Sequence, residues 1–132
     1  MPNGPRHVLL VDDEPHVPLV VRPLLEGLGF TVETARSLAA ARRALAATPV
    51  PDCILLDLHL PDGSGLDLLR ELREATATRA LPILVITAEG DDRVLEEVER
   101  VGAAVLAKPF SPTKLGQQVL AVLNASAGGE AR

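Results

Sequence analysis

The chain has only one cysteine, no long apolar run and no concentration of basic charge. Each of these shortages excludes a class of structure or of binding partner. A single cysteine, Cys53, excludes an internal disulfide. There is no charged-then-apolar leader and no run of about eighteen apolar residues, so we expect a cytoplasmic protein without a membrane span. The net charge of −5 disfavours direct binding to nucleic acid or to an anionic membrane.

The apolar residues that are present suffice for one globular domain. Hydrophobic residues make up 47% of 132 positions, which predicts a single domain with its own core. We assign residues 1–124 to this domain. Residues 125–132 are small and polar, and we assign them to a flexible C-terminal tail or the first residues of a linker.

Four short apolar runs end abruptly in polar residues that can carry out chemistry. The runs are residues 7–11, 53–56, 82–86 and 103–107, followed respectively by Asp12 and Asp13, by Asp57, by Thr87 and by Lys108. Such runs, separated by helical patterns, are typical of a parallel sheet covered on both faces. A short alternating strand at residues 31–35 adds a fifth, and five βα units predict a doubly wound, flavodoxin-like α/β fold with strand order 2-1-3-4-5 and five helices.

The predicted strand order brings the acidic residues together. The first and third strands are neighbours, and ligands of such sheets bind beyond the carboxyl ends of the strands, so Asp12 and Asp13 should lie beside Asp57. Clustered carboxylates repel one another unless they share a proton or a cation lies between them. Mg²⁺ suits this cluster because it takes one or two carboxylates and leaves positions for phosphoryl oxygens.

We expect a phosphoryl group to bind in this crevice. Lys108 offers a mobile positive charge and Thr87 a hydroxyl donor, while Asp57 remains as a nucleophile that can form an acyl phosphate. Each residue alone also has a structural interpretation. Asp12 and Asp13 can cap the first helix, Asp57 can begin a turn, Thr87 can end a strand and Lys108 can extend from a buried strand to solvent. Their joint placement at adjacent strand ends favours the site.

Four motifs carry a family resemblance that covers nearly the whole chain. Val11-Asp-Asp-Glu-Pro15, Leu56-Asp-Leu-His-Leu-Pro-Asp-Gly63, Val85-Ile-Thr-Ala88 and Ala107-Lys-Pro-Phe110 resemble, in order and separation, the receiver domain of bacterial two-component response regulators. The resemblance implies that Asp57 accepts a phosphoryl group from the phosphohistidine of a histidine kinase or phosphotransfer protein. It also implies an output protein, which the sequence does not name.

The resemblance further implies a role for each residue around Asp57. Asp13, Asp57 and the backbone carbonyl of His59 would bind Mg²⁺, and Asp12 would order a metal-bound water. Thr87 would be the hydroxyl switch. Lys108 would pair with the phosphoryl group, and a cis bond between Lys108 and Pro109 would aim its ammonium into the crevice.

Three further positions are candidates for modulating the switch. As a loop residue His59 is expected at the exposed surface, and the resemblance moves it to the rim of the pocket, where it and Glu89 can set the lifetime of the phosphorylated state. Val105 stands three positions before Lys108, where the family commonly has tyrosine or phenylalanine. The chain has no tyrosine or tryptophan, so the usual aromatic switch is absent.

Three functional hypotheses remain open. The first is a phosphorylation-dependent signalling switch that consists of a receiver alone and is not an enzyme for external substrates. The second is a receiver cut from a longer response regulator or hybrid kinase with a separate output domain. The third is a Mg²⁺-dependent acyl-phosphate hydrolase, which needs a second acid two residues after the nucleophile, where His59 stands.

Overall fold

Five parallel strands end where the reactive residues of the sequence begin. The structure is a computed structural model that describes residues 6–47 and 50–130. Its main sheet consists of β1 (Arg6–Val11), β2 (Phe30–Ala35), β3 (Cys53–Leu56), β4 (Ile83–Thr87) and β5 (Ala104–Ala107). All neighbours pair in parallel in the order β2-β1-β3-β4-β5. The predicted strand order 2-1-3-4-5 is therefore confirmed.

Helices cover both faces of this sheet, because the central strands are apolar throughout. They are α1 (His16–Gly27), α2 (Leu38–Ala47), α3 (Gly65–Glu74), α4 (Asp92–Arg100) and α5 (Pro112–Glu130). Leu10, Leu55 and Ile86 face one layer, made by α1 and α5. Leu9, Ile54 and Val85 face the other layer, made by α2, α3 and α4. Alternate strand residues therefore enter two separate cores.

None of the helices in the described part of the chain has the length and apolar content that crossing a bilayer requires.

The chain departs from the predicted pattern at two places. The loop after Asp57 contains a short antiparallel pair, in which His59–Leu60 lies against Gly63–Ser64. The last helix continues to Glu130, although the sequence places the end of the domain at residue 124. Residues 131 and 132 lie outside the described residues, and the division between domain and tail remains a prediction.

Candidate functional site

Backbone hydrogen bonds at the strand ends determine which side chains meet. The Asp57 N–H donates to Val11 O at 2.9 Å, which places Asp57 beside the end of β1. The Lys108 N–H donates to Thr87 O at 3.0 Å, which places Lys108 beside the end of β4. The carboxyl ends of four neighbouring strands thus form one crevice, as the sequence predicts.

Three carboxylates lie together in this crevice. One oxygen from each of Asp12, Asp13 and Asp57 lies within 4.8 Å of the others. Asp12 and Asp57 are 3% and 5% exposed, whereas Asp13 is half-buried. Burial raises the pKa of Asp12 above its ordinary value, against the opposing effects of Lys108 and of the Glu14 N–H.

Each oxygen of the Asp12 carboxylate has a partner, although the group lies close to two further acids. Its Oδ1 accepts a hydrogen bond from the Glu14 N–H at 3.0 Å. Its Oδ2 is buried and pairs with Lys108 Nζ at 2.8 Å. Because a buried carboxylate oxygen beside two further carboxylates suits a hard cation, the donor set fits a divalent metal ion.

Lys108 lies among these acids. Its Nζ is 2.9 Å from Asp57 Oδ2, and it also contacts Glu14 Oε1. Burial alone lowers the pKa of Lys108, but the carboxylates of Asp12, Glu14 and Asp57 outweigh that effect and raise it above its ordinary value. Lys108 therefore remains protonated in the crevice. The Lys108–Pro109 bond is cis, as the resemblance implies.

Glu14 is the site residue that the sequence analysis missed. From the sequence Glu14 is a candidate cap of the first helix, yet it pairs with Lys108, 94 residues further along the chain. Its place directly after Asp12 and Asp13 was the available signal.

The helix-capping interpretation of the acids is wrong. Pro15 occupies the N-cap position of α1, and no side chain there accepts a hydrogen bond from the first turn. The one local bond, from the Glu14 N–H to Asp12, lies in the turn before the helix. The acids at this strand end are therefore available for the crevice.

Thr87 lies at the neighbouring strand end and is buried, with 1% exposure. Its Oγ1 accepts a hydrogen bond from the Glu89 N–H at 3.1 Å. The hydroxyl thereby links the end of β4 to the loop that leads into α4. A change in the partner of this hydroxyl will act directly on that loop.

His59 and Glu89 form a pair at the rim. His59 Nε2 lies 3.0 Å from Glu89 Oε1, and Glu89 Oε2 accepts from the Asp91 N–H at 2.9 Å. The Asp91 N–H and, to a smaller extent, His59 lower the pKa of Glu89. The cleft below has a volume of about 410 Å³ and is lined by Asp13, Glu14, Asp57, His59, Leu60, Pro61, Ala88 and Lys108.

Two backbone features hold Asp57 in place. Its Oδ1 accepts from the His59 N–H at 3.2 Å. Gly65, the first residue of α3, approaches so closely that a Cβ there would lie 2.2 Å from the Asp57 carbonyl oxygen. Only glycine fits at this position without displacing the strand end.

Val105 lies away from the cleft. It pairs with Val85 in the sheet, is half-buried and packs against the core under α2, α3 and α4. The structure thus brings the acids, Lys108 and the His59–Glu89 pair to one crevice and places Val105 outside it.

The fold and the acidic crevice place the chain in the general class of doubly wound α/β domains with a ligand site at the strand ends. Comparison with known proteins identifies its family. The sequence model of the response regulator receiver domain family matches residues 8–120 of the chain. The chain is 37% identical over 120 residues to the phosphate regulon transcriptional regulatory protein PhoB of Escherichia coli K12, covering 89% of this chain and 52% of that protein. It is also 37% identical over 124 residues to protein PetR of Rhodobacter capsulatus, covering 93% of this chain and 51% of PetR.

Solved structures agree with this assignment. The chemotaxis response regulator CheY4 of Vibrio cholerae superposes with a TM-score of 0.81 at 30% identity, covering 89% of this chain and 98% of that one. The receiver domain of a histidine kinase from Syntrophus aciditrophicus gives 0.81 at 28% identity, covering 91% of each. The chain belongs to the response regulator receiver domain family and is a phosphoacceptor switch. It spans about half the length of the curated relatives it matches.

Proposed function

We propose that Asp57 is the phosphoacceptor of this domain and that a histidine kinase or phosphotransfer protein is its donor. The observation that carries the proposal is the pairing of Asp57 Oδ2 with Lys108 Nζ at 2.9 Å, in a cleft that also holds two further carboxylates. Asp57 lines the cleft and so meets an incoming donor. This charge arrangement suits a nucleophilic carboxylate.

Asp13, Asp57 and the backbone carbonyl of His59 are the residues that would hold Mg²⁺, and Asp12 would order a water bound to it. When bound, the ion neutralises charge on the phosphoryl oxygens. A carboxylate oxygen of Asp57 forms a bond to phosphorus as the bond from phosphorus to the donor's histidine nitrogen breaks. The electron pair of the broken bond stays on that nitrogen and the other ring nitrogen carries the proton, so the products are an acyl phosphate and a neutral imidazole.

Lys108 is placed to exchange partners during this reaction. Its ammonium now pairs with Asp57 Oδ2, and after transfer a phosphoryl oxygen takes that position. Its contacts with Asp12 and Glu14 keep the side chain within the crevice throughout. The charge that balances the acids thus becomes the charge that stabilises the product.

Thr87 and the rim pair complete the switch. The Thr87 hydroxyl donates to a phosphoryl oxygen, and its bond with the Glu89 N–H ties that change to the loop before α4. His59 and Glu89 control access of water to the acyl phosphate and so its lifetime. We propose that the altered loop surface is read by a separate output protein or domain in the cytoplasm, and that the domain does not turn over external substrates.

Acetyl phosphate and Mg²⁺ provide the direct test. We expect intact-mass spectrometry to show the gain of one phosphoryl group, because the domain itself positions and stabilises the transferring group. Asp57→Asn should gain none. Asp67→Asn, which changes an exposed acid on α3, should behave as the unsubstituted protein. An adduct that persists in Asp57→Asn would place the acceptor elsewhere.

The half-length match to PhoB and PetR favours a receiver that works with an attached output domain. A measurement of the mass of the native protein, detected in its source cells with an antibody to this domain, separates that arrangement from a stand-alone receiver. Hydrolysis of an added phosphate ester at a steady rate would instead favour a hydrolase.

A further inference from the structure

Asp62 joins the loop after the acceptor to a helix that is distant in sequence. Its Oδ1 accepts a hydrogen bond from the Leu38 N–H at 2.8 Å, and its Oδ2 accepts from the Ala39 N–H at 3.0 Å. These are the first two residues of α2, whose N–H groups have no partner within the helix. One carboxylate therefore caps α2 from a loop that lies 23 and 24 residues away.

The charge state of Asp62 agrees with this capping role. The N–H groups of Leu38 and Ala39 are the principal causes that lower the pKa of Asp62 below its ordinary value. The carboxylate thus stays ionised at neutral pH, where it also favours the positive end of the helix. Ser37 supplies a second, local cap, since its Oγ accepts from the Ala40 N–H at 3.0 Å.

The loop that carries Asp62 contains a short antiparallel pair. Fixing its turn at Asp62 therefore also fixes the backbone next to Asp57. His59 pairs with Ser64, and Leu60 pairs with Gly63. Gly63 has a φ of +146°, and a Cβ there would lie 2.9 Å from Leu38 Cδ1. The turn therefore packs closely on the start of α2.

The other end of the same loop is attached to the acceptor strand. The His59 N–H donates to Asp57 Oδ1 at 3.2 Å, and the Gly65 N–H donates to Leu58 O at 2.8 Å. The loop is thus held on two sides, by β3 at its base and by α2 at its turn.

We propose that Asp62 is a positioning residue for the phosphorylation site. By fixing the turn of the loop on α2, it fixes the backbone of His59, and it thereby couples α2 to the binding of Mg²⁺ at Asp57. This inference rests on the proposed function, in which the His59 carbonyl is a ligand of that ion. Asp62 itself does not touch the reacting atoms.

Removal of the anchor tests the proposal. We expect Asp62→Ala to weaken Mg²⁺ binding roughly tenfold, the lower end of what supports behind a metal ligand contribute. Asp62→Asn keeps one acceptor oxygen and should lie between the two. Since the chain has no tryptophan, calorimetric titration with MgCl₂ is the suitable measurement. Amide hydrogen exchange of residues 59–64 in metal-free protein should also become faster in Asp62→Ala.

Ser37→Ala is the matched control, because it removes a cap from the same helix without touching the loop. Its Mg²⁺ affinity and its exchange at residues 59–64 should stay those of the unsubstituted protein. An equal loss of affinity in Ser37→Ala would show general loosening of α2 and overturn the proposal. Unchanged affinity in Asp62→Ala would also overturn it.

The two proposals fail in different ways. If the unsubstituted protein binds no Mg²⁺, the proposed function falls and the inference falls with it. If it binds Mg²⁺ and the Asp62 variants bind equally well, only the inference falls. Should Asp62→Ala not fold, Asp62→Asn decides, since weaker binding supports the proposal and unchanged binding overturns it.

Discussion

The two edges of the sheet bury charge in opposite ways. At the carboxyl edge, the buried Asp12 carboxylate lies beside two further carboxylates, with Lys108 Nζ 2.8 Å from its Oδ2. At the amino edge of β4 and β5, the half-buried Arg73 guanidinium is bonded to backbone carbonyls in several directions. Its acceptors are Val101 O at 2.6 Å, Leu81 O at 2.7 Å, Arg79 O at 3.1 Å, Gly102 O at 3.2 Å and Thr78 O at 3.4 Å.

The difference separates a structural charge from a functional one. Burial lowers the pKa of Arg73, but its many acceptors compensate for the lost hydration and join α3 to residues 78–81 and 101–102. In the part of the chain that the structure describes, Lys108 forms ion pairs with Asp12 and Asp57, but repulsion among the three carboxylates remains. The amino edge therefore contributes stability, whereas the repulsion at the carboxyl edge costs stability.

The largest expected effect is the loss of metal binding in Asp13→Ala. This change removes one of the three clustered carboxylates, so Mg²⁺ affinity should fall by about a hundredfold. The metal-free protein should be no less stable, because repulsion is relieved. Calorimetric titration and urea unfolding measure the two quantities, with Asp67→Ala as a control on the exposed surface. Normal Mg²⁺ binding, or marked destabilisation, would return Asp13 to a structural role.

Gly65→Ala should instead lower the stability of the protein, because the close approach of α3 to the end of β3 leaves no room for a Cβ. The new Cβ meets the Asp57 carbonyl oxygen, and overpacking of this kind costs about 3 kcal/mol in free energy of unfolding. Gly27→Ala is the control, since a Cβ there meets nothing within 4 Å. Denaturant unfolding compares the two. Equal stability of both variants would contradict this expectation, because it would show that the backbone at Asp57 shifts at little cost to accommodate the Cβ.

Arg73→Met should produce the reverse pattern at the amino edge. It leaves several carbonyls without their donor, and we expect a loss of about 2 kcal/mol in unfolding free energy. Mg²⁺ affinity should remain within about twofold, because the substitution lies at the far edge of the sheet. The exposed Arg79→Met serves as control. A large change in Mg²⁺ affinity would show that the two edges are coupled.

The smallest expected effect is at Val105, whose side-chain conformation should not change on phosphorylation. Its side chain is stiff at χ1 and gains little from a new environment, so its rotamer should be the same with and without beryllofluoride on Asp57. The backbone of residues 87–92 should shift instead. Structures of both states, or methyl NMR couplings, decide the matter. A new Val105 rotamer beside an unmoved loop would contradict the expectation.

Local sequence patterns predicted the strands well. Short apolar runs that alternate with helical patterns can adopt few secondary structures other than buried strands. They also predicted that Asp12, Asp57 and Lys108 would meet, since strand ends in a parallel sheet share one edge. They did not predict the partners of Glu14 or Asp62. Those contacts join residues 94 and 24 positions apart, and no local periodicity encodes them.

The amino-acid sequence by itself determined the order of the strands, the two cores and the set of residues at the crevice, because burial of apolar runs leaves few arrangements. The tertiary structure decided which charges are compensated. Whether Asp12 meets Lys108 or Arg73 finds its carbonyls depends on small differences in distance between segments that are far apart in the sequence. Hydrogen bonds and desolvation change steeply over such distances, whereas hydrophobic burial does not.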